Sequence, residues 1–179
     1  MEKEEHAIVL DFLPYGYPLE NKMMPVAQAI GVRNFTLLQL VPRRGMKLEV
    51  DEKVYIGEGK REKIYYILGK IPEHKLTETS KMQLNDFIEK HVGEKEEMIV
   101  SFFNDAEAIN TRLHQFELLP GFGKKHTESI LDERNKKRFE TLEDLKKRVS
   151  NLPDPKKAVV KRLWDEIMGK EKYYLFMGK

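Results

Sequence analysis

The chain has no cysteine, so disulfides and thiolate metal sites are excluded, and a reducing, cytoplasmic setting is the expectation. It also lacks any apolar run of membrane-spanning length, and the acidic opening MEKEEH does not read as a secretory signal; no membrane partner is expected. Histidines number only five and show no ligand spacing such as His-x-x-x-His, which removes the common imidazole metal motifs. The serines lack a nucleophile-elbow context, and no phosphate-cradling loop of kinase type is present. No catalytic residue is singled out.

Charge is abundant: Asp, Glu, Lys and Arg make up 35% of 179 residues, a Lys/Glu-heavy composition of the kind that supports ion-pair networks in heat-adapted proteins. The net charge of +2 conceals a division. Residues 1–104 carry 15 basic and 17 acidic side chains, and residues 105–179 carry 17 and 13, so the net charge passes from −2 to +4. The basic excess falls in clusters at Lys124-Lys125, Arg134 to Arg138, Lys146 to Arg148, Lys156-Lys157 and Lys161-Arg162. Such clusters are ordinarily a solvated face; on one surface they attract anions.

Short apolar runs with strand character occupy residues 7–13, 35–41, 46–50, 53–57 and 63–71. Met46, Leu48 and Val50 alternate with polar residues, as on a half-buried strand, and EGKRE before IYYILGKI reads as a hairpin turn. Strands joined by turns point to a small closed β-barrel, OB-like first and SH3-like second. A helix over 79–92, with Leu84, Phe87, Ile88, His91 and Val92 on one face and Gly93 as its stop, is expected to cap it. Residues 99–103 read as a last buried strand, after which Asn104 and Glu107 frame a capping box. The expected division is a barrel domain over 1–104 and a helical domain over 105–179. The stretch 11–25, with Tyr15 and Tyr17 among prolines and Gly16, reads either as a base-stacking loop or as the closure of one barrel end.

From residue 105 four helices are expected. The first carries Ile109, Leu113 and Phe116 inward, and the second Thr127, Ile130 and Leu131. The third follows a capping box of Thr141 and Asp144 and carries Leu142, Leu145 and Val149. The fourth, with Asp154 as N-cap and Pro155 as first residue, carries Val160, Leu163, Trp164 and Ile167. Between the helices of each pair lie LPGFGKK and LPDPKK, two versions of one hairpin about 32 residues apart.

With Leu119-Pro120-Gly121-Phe122-Gly123, the lysines after it and the degenerate second copy, the region resembles the tandem helix-hairpin-helix family over about residues 105–169. The whole chain also resembles the archaeal family called domain of unknown function 655. The resemblance implies an α+β protein, a small OB-like β-barrel with a capping helix followed by an all-α tandem helix-hairpin-helix domain. The helix-hairpin-helix resemblance further implies largely sequence-independent binding of nucleic acid, duplex DNA first and RNA second, through backbone phosphates, while the whole-chain resemblance supplies no activity. With no catalytic residue singled out, a non-enzymatic role is the expectation.

The residues so implied are Gly121, Phe122, Gly123, Lys124, Lys125, His126, Lys156 and Lys157. Glycines ahead of a helix let N–H groups approach an anion that the helix dipole also favours. A monovalent cation, K⁺ or Na⁺, held by the main-chain carbonyls of Glu117, Leu119 and Phe122 is a further implication of the family. The second hairpin departs from the pattern, because Asp154 sits in its loop and Pro155 has no N–H. A nuclease or repair-type enzyme with an unrecognised site, and a protein-docking assembly factor, are the alternative readings.

Overall fold

A computed structural model of the chain describes residues 2–177 and separates into two compact units. One is built from residues 2–87 with Ile167–Lys170, the other from Ile88–Glu166 and Glu171–Phe176.

The first unit holds five antiparallel strands: β1 (His6–Leu13), β2 (Val26–Gly31), β3 (Leu37–Pro42), β4 (Lys53–Tyr55) and β5 (Ile64–Lys70). They pair in the order β4-β1-β2-β3-β5. This corrects the expected barrel. β4 and β5 do not pair, so the sheet curls into a half-barrel and stays open. β4 is too short to close it, pairing only with His6, Ala7 and Ile8, while β5 is bent by two register shifts. Ala7, Val9, Ala27, Ala29, Leu40, Val54 and Ile64 pack together in one buried cluster on the sheet. Leu48 joins them from an irregular segment, with Met46 and Val50 exposed, so the alternation of 46–50 made no strand.

β2 and β3 are buried along their whole length, because the second face of the sheet is covered too. Helix α1 (Glu78–Gly93) supplies part of that cover: Ser80 donates to Gln28 at 2.6 Å and Phe87 meets Phe35 edge to face. Gln28 is fully buried, and its amide also donates to the Lys75 carbonyl and the Tyr17 hydroxyl. Tyr17 in turn donates to Gln39, so the loop 14–25 is pinned to the sheet through Tyr17, whereas Tyr15 is exposed. Every polar atom of this network has a partner, as burial requires.

The second unit is not all-α, which corrects the other half of the expected architecture. Residues 99–103, read as a strand, lie in α2 (Glu96–Asp105), where Ile99 and Phe103 are buried one turn apart. Residues 105–118, read as a helix, form β6 (Ala108–Asn110), β7 (Leu113–His114) and a 3₁₀ turn over Gln115–Leu118. Asn110 accounts for the break, since its side chain accepts the Arg112 N–H and offers the backbone an alternative to the helix. Asn104 caps no helix; buried, it exchanges two hydrogen bonds with the Phe139 backbone. The capping box lies at His114 and Glu117. Three further helices follow, α3 (Lys124–Lys136), α4 (Leu142–Arg148) and α5 (Pro155–Ile167). The fold is therefore mixed α/β, with five helices interleaved with strands among the described residues, and not a tandem helix-hairpin-helix domain after a barrel.

Helix α5 turns a charged pair inward. Arg162 and Glu166 are buried, 3.1 Å apart, and Glu166 also accepts the Leu175 and Phe176 N–H groups while Arg162 donates to Glu171. The pair fastens residues 171–176 onto α5.

Candidate nucleic-acid interface

Leu119, Pro120, Gly121 and Phe122 make a type II turn. Phe122 N–H donates to the Leu119 carbonyl at 3.1 Å, proline fills the second position and Gly121 takes the left-handed φ of +82° that the third demands. Leu119 and Phe122 anchor it by burial, the Phe122 ring lying against Phe103 and His126. Gly123 then serves as N-cap of α3 at φ −117°, an ordinary extended conformation, and a β-carbon there would meet nothing within 4 Å. Glycine at 123 thus answers no backbone strain; it leaves open space in front of the helix. The N–H groups of Lys124, Lys125 and His126 find no acceptor among the described residues, as expected for the first turn of a helix without a side-chain cap.

The second turn precedes α5. Asn151 adopts φ +60°, Asp154 caps the helix by accepting the Lys157 N–H at 3.2 Å, and Pro155 begins it. The two turns touch. His126 accepts the Gly123 N–H on Nδ1 at 3.1 Å and places Nε2 3.2 Å from the Asn151 carbonyl, while a β-carbon on Gly121 would lie 3.3 Å from Pro153 Cγ. Gly121, Gly123, Lys124, Lys125 and His126 are thereby brought beside the turn that leads into Lys156 and Lys157.

Neither α3 nor α5 has an acidic residue in its first turn; each has two lysines there. Cations at a helix N-terminus oppose the macrodipole, so the placement costs stability unless an anion is present. The four lysines are not equivalent. Lys124 donates to the Arg112 carbonyl at 2.8 Å and pairs with Glu117 at 3.3 Å. Glu117 is held below the usual carboxylate range by the His114 N–H and then by Lys124. Lys125, Lys156 and Lys157 are exposed and have no carboxylate within ion-pair distance among the described residues.

Most of the other basic clusters are committed elsewhere. Arg134 donates to the Phe103 and Ala106 carbonyls and lies over the Phe116 ring. Arg148 stacks 4.6 Å from the Phe139 ring centre and pairs with Asp144. Lys136, Lys137, Arg138 and Lys147 each have an acidic partner. Of the clustered lysines, those left without a carboxylate partner among the described residues are Lys125, Lys156 and Lys157 at the paired turns and Lys146 on α4. Sequence reasoning named His126 only for its backbone, and missed both the bridging imidazole and Asn151; an asparagine ahead of a proline turn was the one available signal.

The Glu117, Leu119 and Phe122 carbonyls flank the first turn, and that of Leu119 accepts the Phe122 N–H. Among the described residues no three His, Cys, Asp or Glu side chains gather as a metal site, and no helix is long and apolar enough to cross a membrane.

These features define a two-unit α/β chain with a basic pair of helix N-termini. Residues 3–178 match the model of the family described as Protein of unknown function (DUF655), and the chain belongs to that family. An uncharacterised protein of Methanocaldococcus jannaschii is 39% identical over 176 residues, covering 97% of this chain and 80% of that one. The crystal structure of a DUF655 protein, Af1531 of Archaeoglobus fulgidus, is similar with a TM-score of 0.80 and 40% identity, covering 98% of this chain and all of that one.

Proposed function

We propose that the chain binds nucleic acid through backbone phosphates, largely without regard to sequence, at the paired turns ahead of α3 and α5. The observation that carries this reading is the set of unpartnered N–H groups at the start of α3, behind a glycine with open space before it and beside Lys125, Lys156 and Lys157, which no carboxylate neutralises among the described residues. An oxyanion there satisfies the N–H groups and relieves the repulsion of lysines by the helix dipole in one step. The likeness of LPGFGKK to helix-hairpin-helix loops supports it at the level of the turn. α5 contributes charge more than N–H donors, because Pro155 has none and Asp154 takes that of Lys157.

Duplex DNA is the first ligand to test, with duplex RNA beside it. A salt titration on labelled duplexes of unrelated sequence should give similar affinities and a log–log slope that becomes shallower by about 0.9 for each phosphate contact removed. Lys125→Glu combined with Lys156→Glu should flatten the slope by about two such steps. No binding at low salt overturns the proposal, and breakdown of the duplex with added magnesium replaces it with a nuclease.

A further inference from the structure

The first unit carries a cleft of ≈ 370 Å³ that the paired turns do not involve. Its apolar walls are Pro25, Pro42, Met46 and Tyr65, and its rim is Arg43 and Arg44; no lining residue is acidic. Two features look built. First, Tyr65 is the extra residue of a bulge: Val41 pairs with Tyr66 and Pro42 with Ile64, which leaves Tyr65 without a partner on β3 and the residue 64% exposed. Bulges re-aim side chains. Tyr66 braces the ring edge to face at 5.4 Å. Second, residues 43–46 form a turn closed by Met46 N–H to the Arg43 carbonyl, with Gly45 at φ +81°, which sets Arg44 at the corner. Arg43 is tied to the Arg61 carbonyl, and Arg44 has no carboxylate partner among the described residues.

We infer that this cleft holds one unpaired nucleotide of a single-stranded nucleic acid, the base against Tyr65 and the apolar walls and its phosphate at Arg44. An exposed aromatic face beside an uncompensated guanidinium is the pairing that single strands use: stacking tolerates any base, and charge follows the backbone. The volume lies at the small end of the ~300–1,000 Å³ typical of ligand sites, which suits one base. A strand from a second protein is the competing occupant of this edge, and the same bulges disfavour it. They fall at Tyr65 and Leu68 and interrupt the straight ladder that strand addition requires. The inference does not rest on the paired turns, which lie in the other unit.

The test uses the full chain and a fluorescein-labelled oligo(dT) of about 10 nucleotides, within the ~4–16 that such platforms cover. Tyr65→Ala should weaken its binding by about 5- to 150-fold, and Tyr65→Phe should bind like the parent. Arg44→Ala should weaken it and make it less sensitive to salt. Duplex affinity should be the same in all three, whereas Lys125→Glu should lower duplex affinity and leave the dependence on Tyr65 intact, so the two sites can fail separately. Arg44 is exposed on a turn and its replacement leaves the core untouched, which keeps the test decisive if Tyr65→Ala loses its circular dichroism signal. Three results each overturn the inference: no binding of oligo(dT) by the parent, equal binding by the parent and the Tyr65→Ala and Arg44→Ala variants, or displacement by thymidine monophosphate at the concentrations at which the oligonucleotide binds.

Discussion

The imidazole of His126 joins the two turns by reaching Asn151, 25 residues further along the chain: Nδ1 accepts the Gly123 N–H, and Nε2 faces the Asn151 carbonyl at 3.2 Å. With Nδ1 as acceptor, Nε2 carries the proton and donates. Residue 126 therefore sets the distance between the starts of α3 and α5. His126→Ala should lower stability by about 1–2 kcal/mol for two lost hydrogen bonds, and should weaken duplex binding more than that loss alone explains. Denaturant titration and a binding isotherm, both taken where the variant is folded, check it. Unchanged affinity would show that the turns need no tie.

Gly121 and Gly123 should respond oppositely to a side chain. Gly121→Ala places a β-carbon at φ +82° against Pro153 and should cost about 1–3 kcal/mol. Gly123→Ser meets open space and supplies a better N-cap, so stability should hold or rise by a few tenths of a kcal/mol (about 0.3). The same serine stands where a phosphate would approach, so duplex affinity should fall. Thermal melting and binding measured on both variants separate the two effects.

Much of this arrangement is legible in the sequence, and the illegible part has identifiable causes. The Thr141 cap, Asp154-Pro155 and the face of α1 follow local rules that tertiary packing left alone; Thr141 indeed accepts the Asp144 N–H. β2 escaped notice because both its faces are buried, which removes the alternation by which strands are recognised. Ile99 to Phe103 misled in the opposite way, since a short apolar run is the same string whether it ends as a strand or as one buried side of a helix. Along α5 the apolar pattern points Val160 and Trp164 inward, yet both are only half-buried, because Arg162 and Glu166 occupy the core positions. Their partners come from residues 171–176, and no local pattern announces that a tail will return to satisfy them. At the candidate site, glycines and lysines are visible in the string, but which lysines are already paired is decided by distant acids.

Lys124 and Lys125, adjacent in sequence, should behave differently. Lys124→Gln removes a contact to Glu117 and the Arg112 carbonyl that is internal to the protein, so the slope of log affinity against log salt should scarcely change. Lys125→Gln should make it shallower by about 0.9 on duplex DNA. Equal changes for both would mean that Lys124 leaves Glu117 on binding.

Removing one member of the buried pair on α5 should be the most damaging single change considered. Arg162→Ala leaves the Glu166 carboxylate buried beside the Leu175 and Phe176 amides and should cost about 3–5 kcal/mol. Arg162→Met with Glu166→Leu should cost less than Arg162→Ala alone, since no fully buried carboxylate is left stranded; Glu171, which also loses Arg162, is partly exposed. Denaturation midpoints rank the variants, and limited proteolysis should show earlier cleavage within residues 171–176 of Arg162→Ala.

His114 gives the second unit a pH dependence whose sign can be worked out. Its Nδ1 accepts the Phe116 N–H, and burial, followed by the nearby Arg134, lowers its pKa, with Glu117 opposing weakly. The folded pKa is thus below the ordinary value of about 6.5. A histidine depressed on folding is bound as the neutral form, so its contribution is fully present above about 6.5 and is lost as pH falls through the lower folded value. Protonation also removes the acceptor for Phe116. Asparagine at 114 retains an oxygen acceptor for that N–H and does not titrate. His91 is depressed by burial as well, so the quantity to follow is the difference between parent and His114→Asn. Above about pH 7 that difference should be constant, and between about 6.5 and 4.5 the parent should lose stability faster, before Glu117 and Asp144, both held low, begin to protonate. Denaturant unfolding across this range checks it; parallel curves for the two proteins would show that His114 folds with its charge unaffected.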